Sequence, residues 1–326
     1  MGQSAILSTP FRGPSGFKVV AAANEQGLPL APLALRPGNV WYVDETLGDD
    51  AQDNAGWPYS PFATLGAALT AASAGDTICI TGTVHLSATL HITKSNIAIV
   101  GLNAPSMNNR ARISQTGSTV FSPLVQVDAG VYGCRFENFG TFHGFANAST
   151  QVCRADLGGR NYYKNVDFFG MGHATAAAQA GSRSLLISGS DGEHLFEGCR
   201  IGLDTITRAT NANASLEFTG GSPRNKFVDC VFSSLCSLAG DTHVTIGAGG
   251  IDRWAIFDRC QFVNATSSGG TALTAAFSVN ASAGGFVVVA PTCISVGATK
   301  ISAAGPVYVG GAVPTAGTSN LAVAAS

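Results

Sequence analysis

The sequence predicts an all-β chain folded as a right-handed parallel β-helix, a solenoid of stacked coils. Three observations predict it. Short segments recur with a regular period of a few tens of residues, they are β-branched and aromatic with alternating polarity, and Gly, Asn, Ser and Asp punctuate them.

The repeat is carried by five segments: Val131-Tyr-Gly-Cys-Arg-Phe136, Tyr163-Lys-Asn-Val-Asp-Phe168, Phe196-Glu-Gly-Cys-Arg-Ile201, Phe227-Val-Asp-Cys-Val-Phe232 and Phe257-Asp-Arg-Cys-Gln-Phe262. Their fourth positions are Cys134, Val166, Cys199, Cys230 and Cys260, so the steps between them are nearly equal. A helical repeat array has a similar period, but these segments carry the alternation of strands. A second strand precedes most of them, as in Leu124-Val-Gln-Val127, Leu185-Leu-Ile187, Leu216-Glu-Phe218 and Val244-Thr-Ile246. Ala276-Phe-Ser-Val279 and Phe286-Val-Val-Val289 continue the pattern. One coil cannot bury its inward face alone, whereas stacked coils share a core.

Strand alternation then predicts inward ladders. The first is Phe136, Phe168, Ile201, Phe232 and Phe262; the second is Cys134, Val166, Cys199, Cys230 and Cys260; the third is Tyr163, Phe196, Phe227 and Phe257. Between the first two, Arg135, Asp167, Arg200, Val231 and Gln261 should face solvent as a ladder of mixed charge.

The entry to the stack is residues 40–85. It reads Val40-Trp-Tyr-Val-Asp44, Gly48-Asp-Asp50, Asp53-Asn54, Ser60-Pro-Phe-Ala-Thr-Leu65 and Gly75-Asp-Thr-Ile78. Ser60 with Pro61 suits a helix start, Phe62, Leu65, Leu69 and Ala72 keep helical spacing, and Gly75 ends the run. A capping helix is therefore expected near 61–73. Three parts follow: an extended N-terminal arm (1–39), the β-helix (40–295) and a C-terminal small-residue tail or cap (296–326). Proline interrupts the arm at 10, 14, 29, 32 and 37. Its apolar Phe11, Phe17, Val19 and Val20 are the residues expected to dock on a partner surface.

Composition narrows the function. Only 12% of the 326 residues are charged and the net charge is −2, which excludes a basic face for nucleic acid or anionic membrane. At 45% hydrophobic the chain is not of disordered type, yet it lacks a run of about 18 apolar residues for a membrane span. The N-terminus does not read as a signal peptide. Eight cysteines without a CxxC read as buried free thiols, not zinc ligands. Sequons at Asn147, Asn213, Asn264 and Asn280 read as turn asparagines.

Chemistry-bearing constellations are sparse, and no cofactor is expected. Glu197 and Asp258 hold equivalent positions two coils apart, and Asp229 precedes Arg259 by one coil; these are the carboxylates a glycosidase could use. The alternative is that they are solvated face and turn residues. Asp49, Asp50 and Asp53, near Asp44, are the only cluster a calcium ion could take, but their spacing is not that of an EF-hand. None of the six histidines pairs at zinc-motif spacing, and no Gly-x-Ser-x-Gly elbow occurs between strand and helix.

The entry run over 40–85, followed by the coils to 295, resembles the pectin-lyase-like β-helix family. The resemblance implies a first strand, an acidic turn, a short closing helix and a first full coil at Gly75-Asp-Thr-Ile78. The family includes lyases, hydrolases, adhesins and structural proteins, so it implies no single activity. With its Trp-Tyr-Val-Asp entry, arm and tail, the chain also looks like bacteriophage particle components, which are commonly homotrimers. That implies a virion protein assembled in the bacterial cytoplasm, a capsid decoration protein docking on the major capsid protein or another virion protein, with glycan binding as a further option. The competing expectations are a polysaccharide lyase or hydrolase of tail-spike type and a surface adhesin.

Overall fold

The computed structural model describes residues 11–13, 16–18, 38–53, 55–103, 111–115, 120–310 and 322–324. It is a parallel β-solenoid of about seven turns. Three sheets form its walls: a long sheet of 13 strands, a second of eight and a third of seven. Each full coil contributes one strand to each wall, because parallel neighbours need a crossover and the coil itself supplies it.

The inward columns follow the hydrogen-bond register. On the long sheet, Ile78, Ile99, Phe136, Tyr163, Phe196, Phe227 and Phe257 lie in line. Their rings stack, with Tyr163–Phe196 centroids 4.6 Å apart and Phe196–Phe227 centroids 4.5 Å apart. That spacing matches the separation of neighbouring strands, so ring stacking and backbone pairing reinforce each other. On the second sheet the column is Val84, Ile113, Thr141, Phe168, Ile201, Phe232 and Phe262.

The register corrects the expected ladders at one coil. Phe136 pairs with Tyr163, so it belongs to the long-sheet column, and Thr141 takes the place expected for it beside Phe168. The coil step there, from Phe136 to Tyr163, is shorter than those that follow it. Phe136-Glu-Asn-Phe139-Gly-Thr141 is the true equivalent of Tyr163–Phe168, and Phe139, not Cys134, precedes Val166 in the corner column. The mixed-charge ladder is corrected with it: Gly140 and not Arg135 faces Asp167, which is only 3% exposed.

The corner between the long and second sheets is two residues long in five successive coils, from Asn138-Phe139 to Arg259-Cys260. Its first residue has positive φ every time: Asn138 58°, Asn165 51°, Gly198 60°, Asp229 53° and Arg259 51°. Asn, Gly and Asp tolerate this left-handed conformation, which explains their recurrence. The second residue turns inward. The Cys199, Cys230, Cys260 and Cys293 thiols each donate to the carbonyl of the preceding coil's aromatic residue, at 3.6, 3.6, 3.5 and 3.3 Å. All eight cysteines are unpaired thiols.

The entry end is closed by helix α1, Leu65–Ala71, which buries Leu65, Ala68 and Leu69. Its N-cap is Thr64, whose hydroxyl accepts from the Ala67 amide at 3.2 Å, and not Ser60. Ser60 instead bridges to Trp57 and donates to Gln52 at 2.5 Å. Asp50 moves the start: it accepts from the Ala63 and Thr64 amides and the Thr64 hydroxyl, which holds that segment extended up to the cap.

Both ends of the long sheet are finished by antiparallel strands. The arm residues Phe11–Gly13 and Gly16–Lys18 form a hairpin, and Phe17 pairs with Val40. Val19 and Val20 lie outside the described residues. At the other end, Val307–Gly310 stacks in parallel on the strand at 285–289 and then pairs with Ala322–Ala324. Coil pairing thus runs on past residue 295. Among the described residues no helix is long and apolar enough to cross a membrane.

Candidate functional site

Outward positions of the long sheet form the most continuous polar surface. Residues that alternate with the buried aromatic column point away from the core. They give two columns, Arg135–Tyr162–Leu195–Lys226 and Glu137–Lys164–Glu197–Val228–Asp258. A flanking line of left-handed turn residues adds Arg160, Glu193 and Arg224.

These side chains engage one another across coils. Arg160 Nε and Arg224 Nε both donate to the Glu193 carboxylate, at 2.7 and 2.8 Å. The Tyr132 hydroxyl donates to Asp191 at 3.2 Å, and the Arg160 guanidinium lies 5.8 Å from the Tyr132 ring centre. Arg135 pairs with Glu137 and sits 5.1 Å from the Tyr162 ring centre, while the Tyr162 hydroxyl donates to Glu197. The result is a strip of tyrosine rings, guanidinium groups and carboxylates over four rungs, about 15 Å long from first to last at ~4.8 Å per rung.

Of the carboxylates expected from sequence, Glu197 and Asp258 fall on this face and Asp229 falls on the adjoining corner. Glu197 and Asp258 share a column with Val228 between them, about 9–10 Å apart by strand spacing. Glu197 is held by Tyr162, and Asp258 accepts from Thr292 and Arg259, both at 3.1 Å. Asp229 forms a two-pronged pair with Arg259 at 2.7 and 3.0 Å. A general acid needs its proton held tightly. Instead, hydrogen bonds from Arg160 and Arg224 hold Glu193 below the usual carboxylate range, and Arg259 does the same to Asp229.

The acidic turn of the entry region serves the backbone. Asp44 accepts from the Thr46 and Leu47 amides, and Asp49 accepts from the Ala51 amide. Asp50 is spent on the α1 entry, as described above. Asp49, Asp50 and Asp53 do not converge, and among the described residues no group of three or more His, Cys, Asp or Glu side chains could hold a metal ion.

A second constellation escaped the sequence reading because it lies inside the stack. The third sheet's inward columns are Leu90, Val125, Arg154, Leu185, Leu216, Val244 and, two residues on, Ile92, Val127, Asp156, Ile187, Phe218, Ile246. One rung is charged. Asp156, fully buried, accepts from the Gly158 amide at 2.9 Å, from Asn161 Nδ2 at 3.0 Å and from the Tyr163 hydroxyl at 2.5 Å. Arg154 donates to the same hydroxyl at 3.3 Å and lies 4.2 Å from the Phe136 ring centre. His194 Nδ1 is 3.7 Å from Asp156, and burial pushes its pKa down. Nothing here is exposed, so this group organises the core and offers no substrate access. Its sequence signal was Arg154-Ala-Asp156, standing where neighbouring coils have Leu-x-Ile or Leu-x-Phe.

Three of the four sequon asparagines are equally internal, whereas Asn280 is exposed. Asn147, Asn213 and Asn264 are at most 3% exposed, and Asn213 and Asn264 accept from the Ser182 and Cys236 amides.

No family model and no curated protein matches the chain. Among solved structures, it is similar to a pectate lyase, with a TM-score of 0.50 and 13% identity over 77% of this chain. The chain spans 62% of that enzyme's length. It is also similar to a pectin methylesterase mutant in complex with a hexasaccharide, with a TM-score of 0.51 and 15% identity over 79% of this chain and 80% of that one. A Geobacillus virus E2 protein, ORF18, aligns at a TM-score of 0.39 and 13% identity over 81% of this chain and 61% of that one. At these identities the likeness is one of fold. The parallel coils, the aromatic column and the likeness to the pectate lyase and pectin methylesterase structures together make the fold a right-handed parallel β-helix.

Proposed function

We propose that the chain is a structural, glycan-binding β-helix that holds a polysaccharide against the outer face of its long sheet without cleaving it. The observation that carries this is the strip from Tyr132 to Lys226. It offers tyrosine rings, planar guanidinium groups and carboxylates at the spacing of the rungs, while Glu193, Glu197, Asp229 and Asp258 are each already bonded to a neighbouring side chain. Aromatic faces and preordered polar groups suit sugar rings and hydroxyls. A glycosidase would need two carboxylates flanking the same bond, about 5–10 Å apart, one of them holding a proton.

The virion setting belongs to the same proposal: a particle component docking on a capsid or other virion protein through its N-terminal arm. It rests on the sequence resemblance, and detection of the chain in purified phage particles by peptide mass spectrometry checks it.

The test of the glycan reading is calorimetric titration with polygalacturonate, dextran and bacterial O-chain polysaccharide, with product analysis on the same samples. Binding of at least one, lost in Tyr162→Ala and Arg160→Ala and without new reducing ends or unsaturated products, supports the reading. Chain cleavage replaces it with the lyase or hydrolase alternative. No binding to any of the three removes the glycan from it.

A further inference from the structure

The outer face of the long sheet changes character after residue 250. Alternating with the buried Ala255, Phe257, Val287, Val289 and Val307, the outward side chains are Trp254, Ile256, Phe286, Val288 and Tyr308. Trp254 faces Phe286 across the strand pair, Ile256 faces Val288 and Val288 faces Tyr308. Phe286 is 41% exposed and its ring meets Tyr308 edge-on at 6.1 Å. Three consecutive rungs therefore present an apolar, aromatic-rich outer face with no charged side chain in its centre. Such a composition is that of a subunit interface core.

Charges mark its two sides. The strand at 251–258 and its corner read Asp252-Arg253-Trp254-Ala255-Ile256-Phe257-Asp258-Arg259. Asp252 and Arg253 stand exposed and 3.5 Å apart at one end, and Asp258 and Arg259 are paired at 3.1 Å at the other, so a contact between copies would add to or exchange these pairs. The order Asp-Arg is the same at both ends, and this has a geometric consequence.

We propose that this face pairs with the same face of a second copy, about a two-fold axis parallel to the coil stack. That axis lays the two strands antiparallel at the same rung. Asp252 then meets Arg259 of the second copy, and Arg253 meets its Asp258, twice over. An axis along the strands would instead set like charge against like. The same choice sets Trp254 and Phe286 beside the smaller Ile256 and Val288 of the second copy on two of the rungs, while Tyr308 continues the second column on the third. On the entry side the contact ends at Arg224 and Lys226, which the axis would bring towards each other. An isologous contact of this kind closes at two copies. Both stacks point the same way, so the hairpins at 11–18 of the two copies lie at one end.

The apolar centre is about 10 Å across the rungs and about 13 Å along the strands, roughly 130 Å² on each copy and well below the area of a standard specific contact, so the association is weak, leans on the charged rim and depends on concentration. This inference does not rest on glycan binding.

Sedimentation of the full chain across a wide concentration range tests it, at low and high salt. A monomer–dimer equilibrium is expected. Arg253→Glu should weaken it by about tenfold or more, and adding Asp258→Lys should restore it by reinstating the cross-axis pair. Phe286→Ser should weaken it without the salt dependence. Circular dichroism and melting of each variant separate lost association from lost folding. A wild-type monomer at every concentration, a trimer, or a dimer indifferent to both Phe286→Ser and Arg253→Glu would each overturn the proposal.

Discussion

Two successive rungs of the third sheet have one backbone and opposite interiors. The strand at 183–188 sends Leu185 and Ile187 into the core, and the strand at 152–156 sends Arg154 and Asp156 into the same columns. Parallel pairing is continuous through both, so register is set by the backbone ladder and not by side-chain type. The apolar rung is stabilised by transfer of two side chains from water, about 1.5–3 kcal/mol each. The charged rung survives because its carboxylate receives several donors within the stack and its guanidinium lies on an aromatic ring. The difference teaches that this fold tolerates a polar core rung whose carboxylate is fully bonded, although Arg154 Nε and Nη1 find no acceptor.

That claim can be broken most directly at the charged rung. Asp156→Ile leaves Arg154 buried without its counter-charge and Asn161 without an acceptor. It should cost about 3–5 kcal/mol in urea unfolding. An unchanged midpoint would mean that Arg154 escapes to solvent and that Asp156 does not compensate its charge. On the apolar side, Phe227→Ala removes a ring stacked on both neighbours and should cost about 3–4 kcal/mol through lost transfer energy and a cavity.

The double variant Arg154→Leu/Asp156→Ile converts the polar rung to its neighbour's chemistry. Its stability should equal or exceed the wild type by about 0–3 kcal/mol. A double variant as weak as the single one would show that Tyr163 and Asn161 also need the charges.

Acid should act through two buried histidines, His143 beside the charged rung and His243 on the strand at 242–246. Burial pushes His143 down to about 4 and His243 down to about 3. The unfolded chain takes up these protons near pH 6.5, and the folded chain does not. Stability is therefore complete above about pH 6.5 and falls below it, by about 1.4 kcal/mol per pH unit for each histidine, until the folded pKa is reached. Urea midpoints measured on both sides of that pH should shift less in His243→Leu than in the wild type. At the small end, Glu193→Gln on the exposed strip should leave the melting temperature almost unmoved while reducing glycan binding.

Much of this was legible beforehand. The period, the strand alternation and the aromatic positions at 163, 196, 227 and 257 are all local patterns, and they specify the columns. The segment ending at Phe136 misled because its cysteine and aromatic reproduced the spacing of later coils. Its true step, from Phe136 to Tyr163, is set by a shorter intervening stretch, which similarity alone does not reveal. The strand at 152–156 was hidden for the opposite reason: two charges in five residues contradict the pattern of a core strand. The tertiary partners that make it possible, Tyr163 and His194, are separated from it in sequence. The Asp229–Arg259 pair follows from their equivalent positions one coil apart, whereas the bonds of Glu197 to Tyr162 and of Asp258 to Thr292 were unreadable, since those partners come from other coils or corners.

The two-residue corners carry one more consequence. Because that edge of the stack is the same length in five coils, variation in coil length is carried by the other two edges. The longest connections join the second and third sheets: residues 170–182, with its short helix Ala174–Ala177, and residues 202–213 and 265–276. To an engineer, the first edge is a hinge pin and the second-to-third edge is a row of sockets. A foreign loop set into a socket should leave every column aligned, whereas one extra residue at the pin would shift the next strand by one position and turn its inward side chains outward.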